Sequence, residues 1–269
     1  MKPAVVRAEA ARSQPVILPR GSGLPGPLVA RLGVVAALII LWKIAAGFAD
    51  PMFVAPPEAV AVSIWHLLGE SDLKSALGQT LWELVSAFVI ATLAGAAIGL
   101  AIGRSRLAHA MVYPIVLFLY ALPQAPMLPL FVLIFGIGPA AKIAFGVSHA
   151  IFPMIITVAA GTRDIDPALM KFARSTGART HQVLWSIVLP SATASFFTGL
   201  RLAMSGTLLG VLLAELFVSQ AGIGFFTHRY ADAFQPANLF ALIVMLAAIA
   251  VTLNEVCRIG EGRFNRWQG

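Results

Sequence analysis

Charge is what this chain has least of. Only 12% of its 269 residues are Asp, Glu, Lys or Arg, while 59% are hydrophobic; an ordinary soluble domain carries roughly 25% charged residues. A soluble fold of this composition would expose large contiguous apolar patches, so that class is excluded. Cysteine is almost absent as well. Cys257 stands alone, which rules out an internal disulfide and a cysteine metal cluster and leaves packing as its expected role. No Gly-x-x-x-x-Gly-Lys-Ser/Thr phosphate loop occurs, so the chain does not bind and hydrolyse ATP by that route. A Ser-His-Asp order, paired cleft carboxylates and a zinc-binding Cys/His set are missing too. His66, His109, His149, His181 and His228 show no metal-ligand spacing, and His149, alone within a span, is expected to be packed and hydrogen-bonded. No catalytic residue, metal ligand or cofactor is assigned to the chain, and an intramembrane enzyme is set aside.

What the sequence does have is long uncharged runs, each near the roughly 20 residues needed to cross about 30 Å of hydrocarbon. Six are read, at about 29–49, 81–103, 111–136, 140–161, 193–218 and 237–257. The chain is therefore expected to be an all-α, polytopic membrane protein in contact with lipid. Pro114, Pro123, Pro126 and Pro129 fall in the third run and predict a bent span.

The formal net charge is +7. Its basic residues are spread over short loops without interleaved aromatics, so nucleic acid is not an expected partner. Their sidedness is informative instead. Fourteen Lys and Arg fall in the termini and one set of loops, whereas only Lys74, Lys142 and Arg229 fall in the opposite set. By the excess of basic residues in cytoplasmic loops, both termini and the loop 162–192 are expected in the cytoplasm. Residues 1–27, rich in Pro, Gly, Arg and Ala, read as a disordered tail before a transmembrane domain of 28–269. The basic region is too long, and the apolar run after it too close to a full span, for a cleaved signal peptide; a start-transfer role is expected for the first helix.

One polar segment interrupts the apolar chain: DPALMKFARSTGARTHQVLWSIVLP, from Asp166 to Pro190. Asp166 can accept from the free donors of a helix start, and Pro167 suits the first helical position. Leu169, Phe172, Ala173 and Thr176 recur at three-and-four spacing and predict one face of a short helix, with Lys171, Arg174 and Arg179 pointing elsewhere. Gly177 can take the left-handed backbone that closes a helix. A second amphipathic stretch follows with Val183, Leu184, Ile187 and Val188, and Pro190 is expected to halt it. Taken by itself, such a segment could also lie on lipid headgroups as an interfacial helix.

In register, the segment reads Lys171-Phe172-Ala173, Gly177, then Ile187, Leu189 and Pro190. This resembles the signature loop of permease subunits of ATP-binding cassette importers: Glu-Ala-Ala, three residues, Gly, nine residues, Ile, one residue, Leu-Pro. The first two positions depart from it, since Lys171 and Phe172 replace Glu and Ala. Together with APPEAV, FGIGPAAKIA and AELFVSQAGIGF, the loop resembles the nitrate, sulfonate, taurine and bicarbonate branch. The resemblance implies a type I importer permease of the bacterial inner membrane, working as a homodimer beside cytoplasmic ATPase subunits that hold ATP and Mg. It also implies an external, periplasmic substrate-binding protein and a small solute, such as an anionic sulfonate, nitrate or taurine. Leu169, Lys171, Phe172, Ala173, Arg174, Gly177, Ile187, Leu189 and Pro190 would then serve ATPase coupling. Glu215, Gly222 and Gly224 are implied near the translocation path or gate.

Lys43, Glu83, Arg201 and Glu215 lie in or near the spans, where charge is costly. Their positions near span ends favour structural roles, with snorkelling open to the long side chains. Gly136, Gly138, Gly222 and Gly224 read first as turn chemistry. Between the first two spans, Val60, Ile64, Leu67 and Leu68 predict one face of a proline-started external helix. The competing reading of six spans, a self-sufficient secondary transporter or channel, would call for inverted repeats and midplane charge pairs, which are not evident.

Overall fold

The computed structural model describes residues 27 to 265. The expected N-terminal tail lies outside the described residues, apart from Pro27, with which the first helix begins. No strand occurs among the described residues. The helices are α1 (Pro27–Phe48), α2 (Pro57–Gly69), α3 (Ser71–Arg104), α4 (Arg106–Ala121), α5 (Leu128–Phe135), α6 (Pro139–Arg163), α7 (Pro167–Ser175), α8 (Thr180–Val183), α9 (Leu189–Ser191), α10 (Thr193–Val218), α11 (Ile223–Asp232) and α12 (Pro236–Asn265). Five are long and apolar enough to cross a membrane, and the pair α4 and Ala125–Phe135, bent by 87°, makes up to six.

That bend follows from the prolines. Leu122 precedes Pro123 and sits in extended conformation (ψ 138°), because the proline ring crowds a helical residue before it. A 3-10 turn over Ala125–Met127 then leads into α5. Pro114 itself lies inside α4 without ending it. The second span is longer than the apolar run implied, for α3 starts at Ser71 and carries Lys74 within it.

Helix α1 is one apolar span over Val29–Phe48. In the body from Ala46 onward, α3, α6 and α10 form a three-helix core. Gly95, Gly99 and Gly103 put a smooth stripe of α3 against α6. A Cβ added to them would come within 2.8, 2.9 and 2.6 Å of the Cβ atoms of Met154, Val158 and Thr162. With no water to expel between helices in lipid, such close backbone approach is a main source of association. Leu84 and Ala87 of α3, Met204, Leu208 and Val211 of α10 and Cys257 of α12 close one apolar cluster. Val116 of α4 joins Ile102, Ile155 and Ala159 in another. Val60 and Leu67 of α2 are buried, and the helix packs along α12. Leu68, expected on the same face, is 45% exposed.

Candidate functional site

Two constellations lie at the two ends of the core. The first is the segment expected to couple. Asp166 Oδ1 accepts from Ala168 N–H at 2.8 Å, with Pro167 opening α7. Gly177 takes φ 66°, and Ala178 N–H reaches back to Ala173 C=O at 3.0 Å. That 6→1 bond is the Schellman closure, which needs the left-handed residue that only glycine supplies without strain.

The expected single face of α7 divides in two. Ala173 is buried at 3% exposure and Met170 is half-buried, so these turn toward the protein's own body. Leu169 and Phe172 are 44% and 65% exposed, and Lys171 and Thr176 are exposed with them. A helix of nine residues cannot bury both rows, and the larger apolar pair faces outward. Arg174 lies on the same helix. Beside it a groove of about 570 Å³ is lined by Phe172, Gly177, Arg179, Gln182 and Ile187.

Pro190 does not halt the second stretch. The chain widens into a π-turn over Leu184–Val188, in which Leu189 N–H reaches Leu184 C=O, and Pro190 sits in the first turn of α9. The chain thus passes through the π-turn into a short helical turn that holds Pro190 near its start, where a missing N–H costs little. Val183, Leu184, Ile187 and Leu189 are half-buried, Val188 is buried and Pro190 is exposed.

The second constellation lies where α3, α6, α10 and α11 meet. Lys142 is not in a loop, as its place among the opposite-side charges implied. It lies inside α6 at 2% exposure, its Nζ 2.6 Å from Glu83 Oε1, and Glu83 is fully buried. Glu83 therefore does not snorkel. Pro139 after Gly138 starts the helix early enough to bring Lys142 into the bundle. Gln79 Nε2 donates to the same Glu83 oxygen at 3.1 Å, and Lys142 Nζ also donates to Ser219 Oγ at 3.1 Å and Ala221 C=O at 3.4 Å. The buried ammonium has three acceptors and Glu83 Oε1 has two donors, while Glu83 Oε2 has no hydrogen-bond partner among the described residues, so the pair meets only in part the condition under which a buried ion pair is tolerated.

Glu215, fully buried, is held beside that pair. Its Oε1 accepts from Thr80 Oγ1 at 2.7 Å and its Oε2 from Gly224 N–H at 2.9 Å. Thr80 Oγ1 in turn accepts from Ile223 N–H at 2.9 Å. The first free donors of α11 are thus capped by side chains from two other helices. Gly222, with φ 105°, is the turn residue expected, and a Cβ there would overlap the Glu215 carboxylate. Gly224 has another reason: it is helical, and a Cβ would come within 2.5 Å of Glu215 Cβ. Glu215, Gly222 and Gly224 are therefore one unit. At the edge of α11, burial pushes the Tyr230 phenol up, with Glu70 adding and Arg229 opposing.

A model of the binding-protein-dependent transport system inner membrane component matches residues 91–267. The chain belongs to this family. It is 29% identical over 246 residues to the taurine transport system permease protein TauC of Escherichia coli, covering 88% of this chain and 89% of that one. It is 25% identical over 235 residues to the putative aliphatic sulfonates transport permease protein SsuC of Bacillus subtilis, covering 87% and 85%. The formylaminopyrimidine transport permease protein ThiX of Halalkalibacterium halodurans is 25% identical over 214 residues, covering 80% and 86%. In fold, the chain resembles one from an inward-facing conformation of the MetNI methionine ABC transporter, with TM-score 0.54, 17% identity and coverage of 68% of this chain and 94% of that one.

This binding-protein-dependent permease is thus a multi-pass membrane transport component with an ABC importer fold. Sequence reasoning missed Thr80 and Ser219 as ligands of the buried charges, and it placed Lys142 in a loop. One signal was available: FGIGPAAK sets the lysine just inside a proline-started helix. Of the other span charges, Arg201 pairs with Glu261 of α12 at 2.9 Å. His149 is half-buried, with Nδ1 3.0 Å from Phe145 C=O.

Proposed function

We propose that this permease works as a homodimer in an ATP-driven importer of taurine or related sulfonates, with ATP and Mg held by separate cytoplasmic ATPase subunits. The observation that supports it most is the outward apolar pair Leu169 and Phe172 on α7, a helix anchored by Ala173 and closed by Gly177. Such a pair, at three-residue spacing, is the kind of knob a helix presents to a partner's groove. Lys171, Arg174 and the strut Ile187–Pro190 complete the coupling element. With Lys142 buried inside α6, the basic residues counted on the opposite side come down to Lys74 in the first turn of α3 and Arg229 on α11, which supports a cytoplasmic α7 and cytoplasmic termini.

In this reading ATP closes the ATPase pair and draws both copies of α7 together. The α8–α9 strut passes the movement to α10, and the spans swing between inward-open and outward-open states. The ATPases must grip α7 differently in their two states, or no shift in population results. Across the membrane, the unit of Glu215, Gly222 and Gly224 fixes α11 at the external mouth, where a substrate-binding protein delivers its ligand. The sulfonate reading rests on the relatives that transport taurine and aliphatic sulfonates.

Proteoliposomes containing the permease, its ATPase and its binding protein provide the test, with radiolabelled taurine, an alkanesulfonate and formylaminopyrimidine as solutes. Uptake of the sulfonates that requires both ATP and binding protein is expected. Uptake of formylaminopyrimidine alone would overturn the substrate, and uptake by the permease alone without ATP would overturn the importer.

A further inference from the structure

A cavity of about 480 Å³ opens between α7 and the adjoining ends of α3, α4 and α6. Four cationic residues border it: Arg104 at the end of α3, Arg106 at the start of α4, Arg163 at the end of α6 and Lys171 on α7. No Asp or Glu lines it. Among the described residues, none of the four forms an ion pair. The other charged span residues behave differently, since Lys142 has Glu83 and Arg201 has Glu261. Arg104 also borders a second cavity of about 210 Å³ under α7, beside Met170 and Val183.

We propose that this cavity binds a phosphate group, and that the group is the headgroup of an anionic membrane lipid. Like charges gathered round one space without a counter-charge repel each other, and a bound anion removes that repulsion. Guanidinium groups match phosphate oxygens in fork geometry, so Arg104, Arg106 and Arg163 suit this ligand better than lysines would. The rest of the wall decides between a lipid and a free ion. Met170 and Val183 give it an apolar side, which suits a glycerol backbone and the start of an acyl chain and gives nothing to a hydrated inorganic ion. The place fits too. Two membrane-crossing helices end here, α3 at Arg104 and α6 at Arg163, at the depth where headgroups lie, and basic pockets between spans on the cytoplasmic side are suited to anionic headgroups.

The position gives the site a consequence. Arg104 and Arg163 belong to the rigid core, whereas Lys171 belongs to α7, so one headgroup would bridge the moving helix to the bundle. Lipid charge would then set how firmly α7 is held. Placing the cavity in the inner leaflet rests on the orientation proposed above, but the binding itself does not, and it is measured without the ATPase.

The purified full-length chain in neutral detergent is titrated with phosphatidylglycerol, phosphatidylcholine or inorganic phosphate while its thermal unfolding is followed. Phosphatidylglycerol is expected to raise the Tm of wild type by several degrees, with phosphatidylcholine giving no rise. The double variant Arg104→Gln with Arg163→Gln should lose at least two thirds of that rise, and Arg104→Lys with Arg163→Lys should keep most of it. The lysine pair guards against misreading a folding defect as lost binding. A rise of the same size with inorganic phosphate, lost in the glutamine pair, would keep the anion site and overturn the lipid as its source. An undiminished phosphatidylglycerol rise in the glutamine pair would overturn the site.

Discussion

Lys142 of α6 holds Glu83 of α3 at 2.6 Å with both side chains out of reach of solvent. Taking one partner away leaves an uncompensated buried charge, which destabilises by about 3–5 kcal/mol. Glu83→Gln and Lys142→Met should each lower the melting temperature of the purified protein steeply, whereas the two combined should lose less than the sum of the single changes. Strict additivity in that double-mutant cycle would mean that the two side chains are not energetically coupled.

The Glu215 unit makes a sharper distinction. Gly222→Ala meets both a disfavoured backbone (φ 105°) and the Glu215 carboxylate, and Gly224→Ala presses on Glu215 Cβ. Both should loosen α11, read as faster proteolysis or hydrogen exchange over residues 221–234, with α3 and α6 still protected. Glu215→Gln keeps the shape and one acceptor, so its effect should be smaller than that of Gly222→Ala. Protection of α11 unchanged in Gly222→Ala would contradict the packing described here.

At Gly177 the backbone has φ 66°, while proline is held near −65°. Gly177→Pro should abolish ATP-driven uptake although the chain still inserts in the membrane. Gly177→Ala, which adopts the left-handed conformation at a penalty of about 1–2 kcal/mol, should retain part of the transport. Normal uptake by the proline variant would remove α7 from the mechanism.

The stripe on α3 tests the core itself. Gly99→Leu drives a side chain into Val158 and the Ile155 carbonyl, both within 2.9 Å of an added Cβ. Overpacking of this kind destabilises by about 1–3 kcal/mol or more. The expected readout is a lowered Tm and poor recovery from detergent, and a wild-type Tm would show that α3 and α6 pack less closely.

Much of this was legible in the residues. The apolar runs gave the spans, Pro123 and its neighbours gave the bend after α4, and Asp166, Pro167 and Gly177 gave both ends of α7, because each of these is decided within a few residues of chain. What local sequence could not supply was direction and partnership. Leu169 and Phe172 share a row with Ala173 by spacing, yet which of them faces the protein depends on where α8 and the π-turn return. Lys142 counted as a loop charge because nothing near it in sequence shows that Glu83, on another helix, waits at the same depth. Pro190 looked like a stop because hydropathy does not reveal that a new short helical turn starts at Leu189, with Pro190 in its first turn. Gly224 read as a turn, although the reason for it is Glu215 Cβ.

The coupling role of α7 is the claim on which the rest depends. The decisive measurement compares copurification of the ATPase subunit from mild detergent with the tagged wild-type chain and with Leu169→Asp combined with Phe172→Asp. Both side chains are exposed, 44% and 65%, so the variant should keep its melting temperature and its dimer. The account predicts that the ATPase accompanies wild type and is lost from the variant. An ATPase retained equally by both, or absent from a folded wild type, would contradict it.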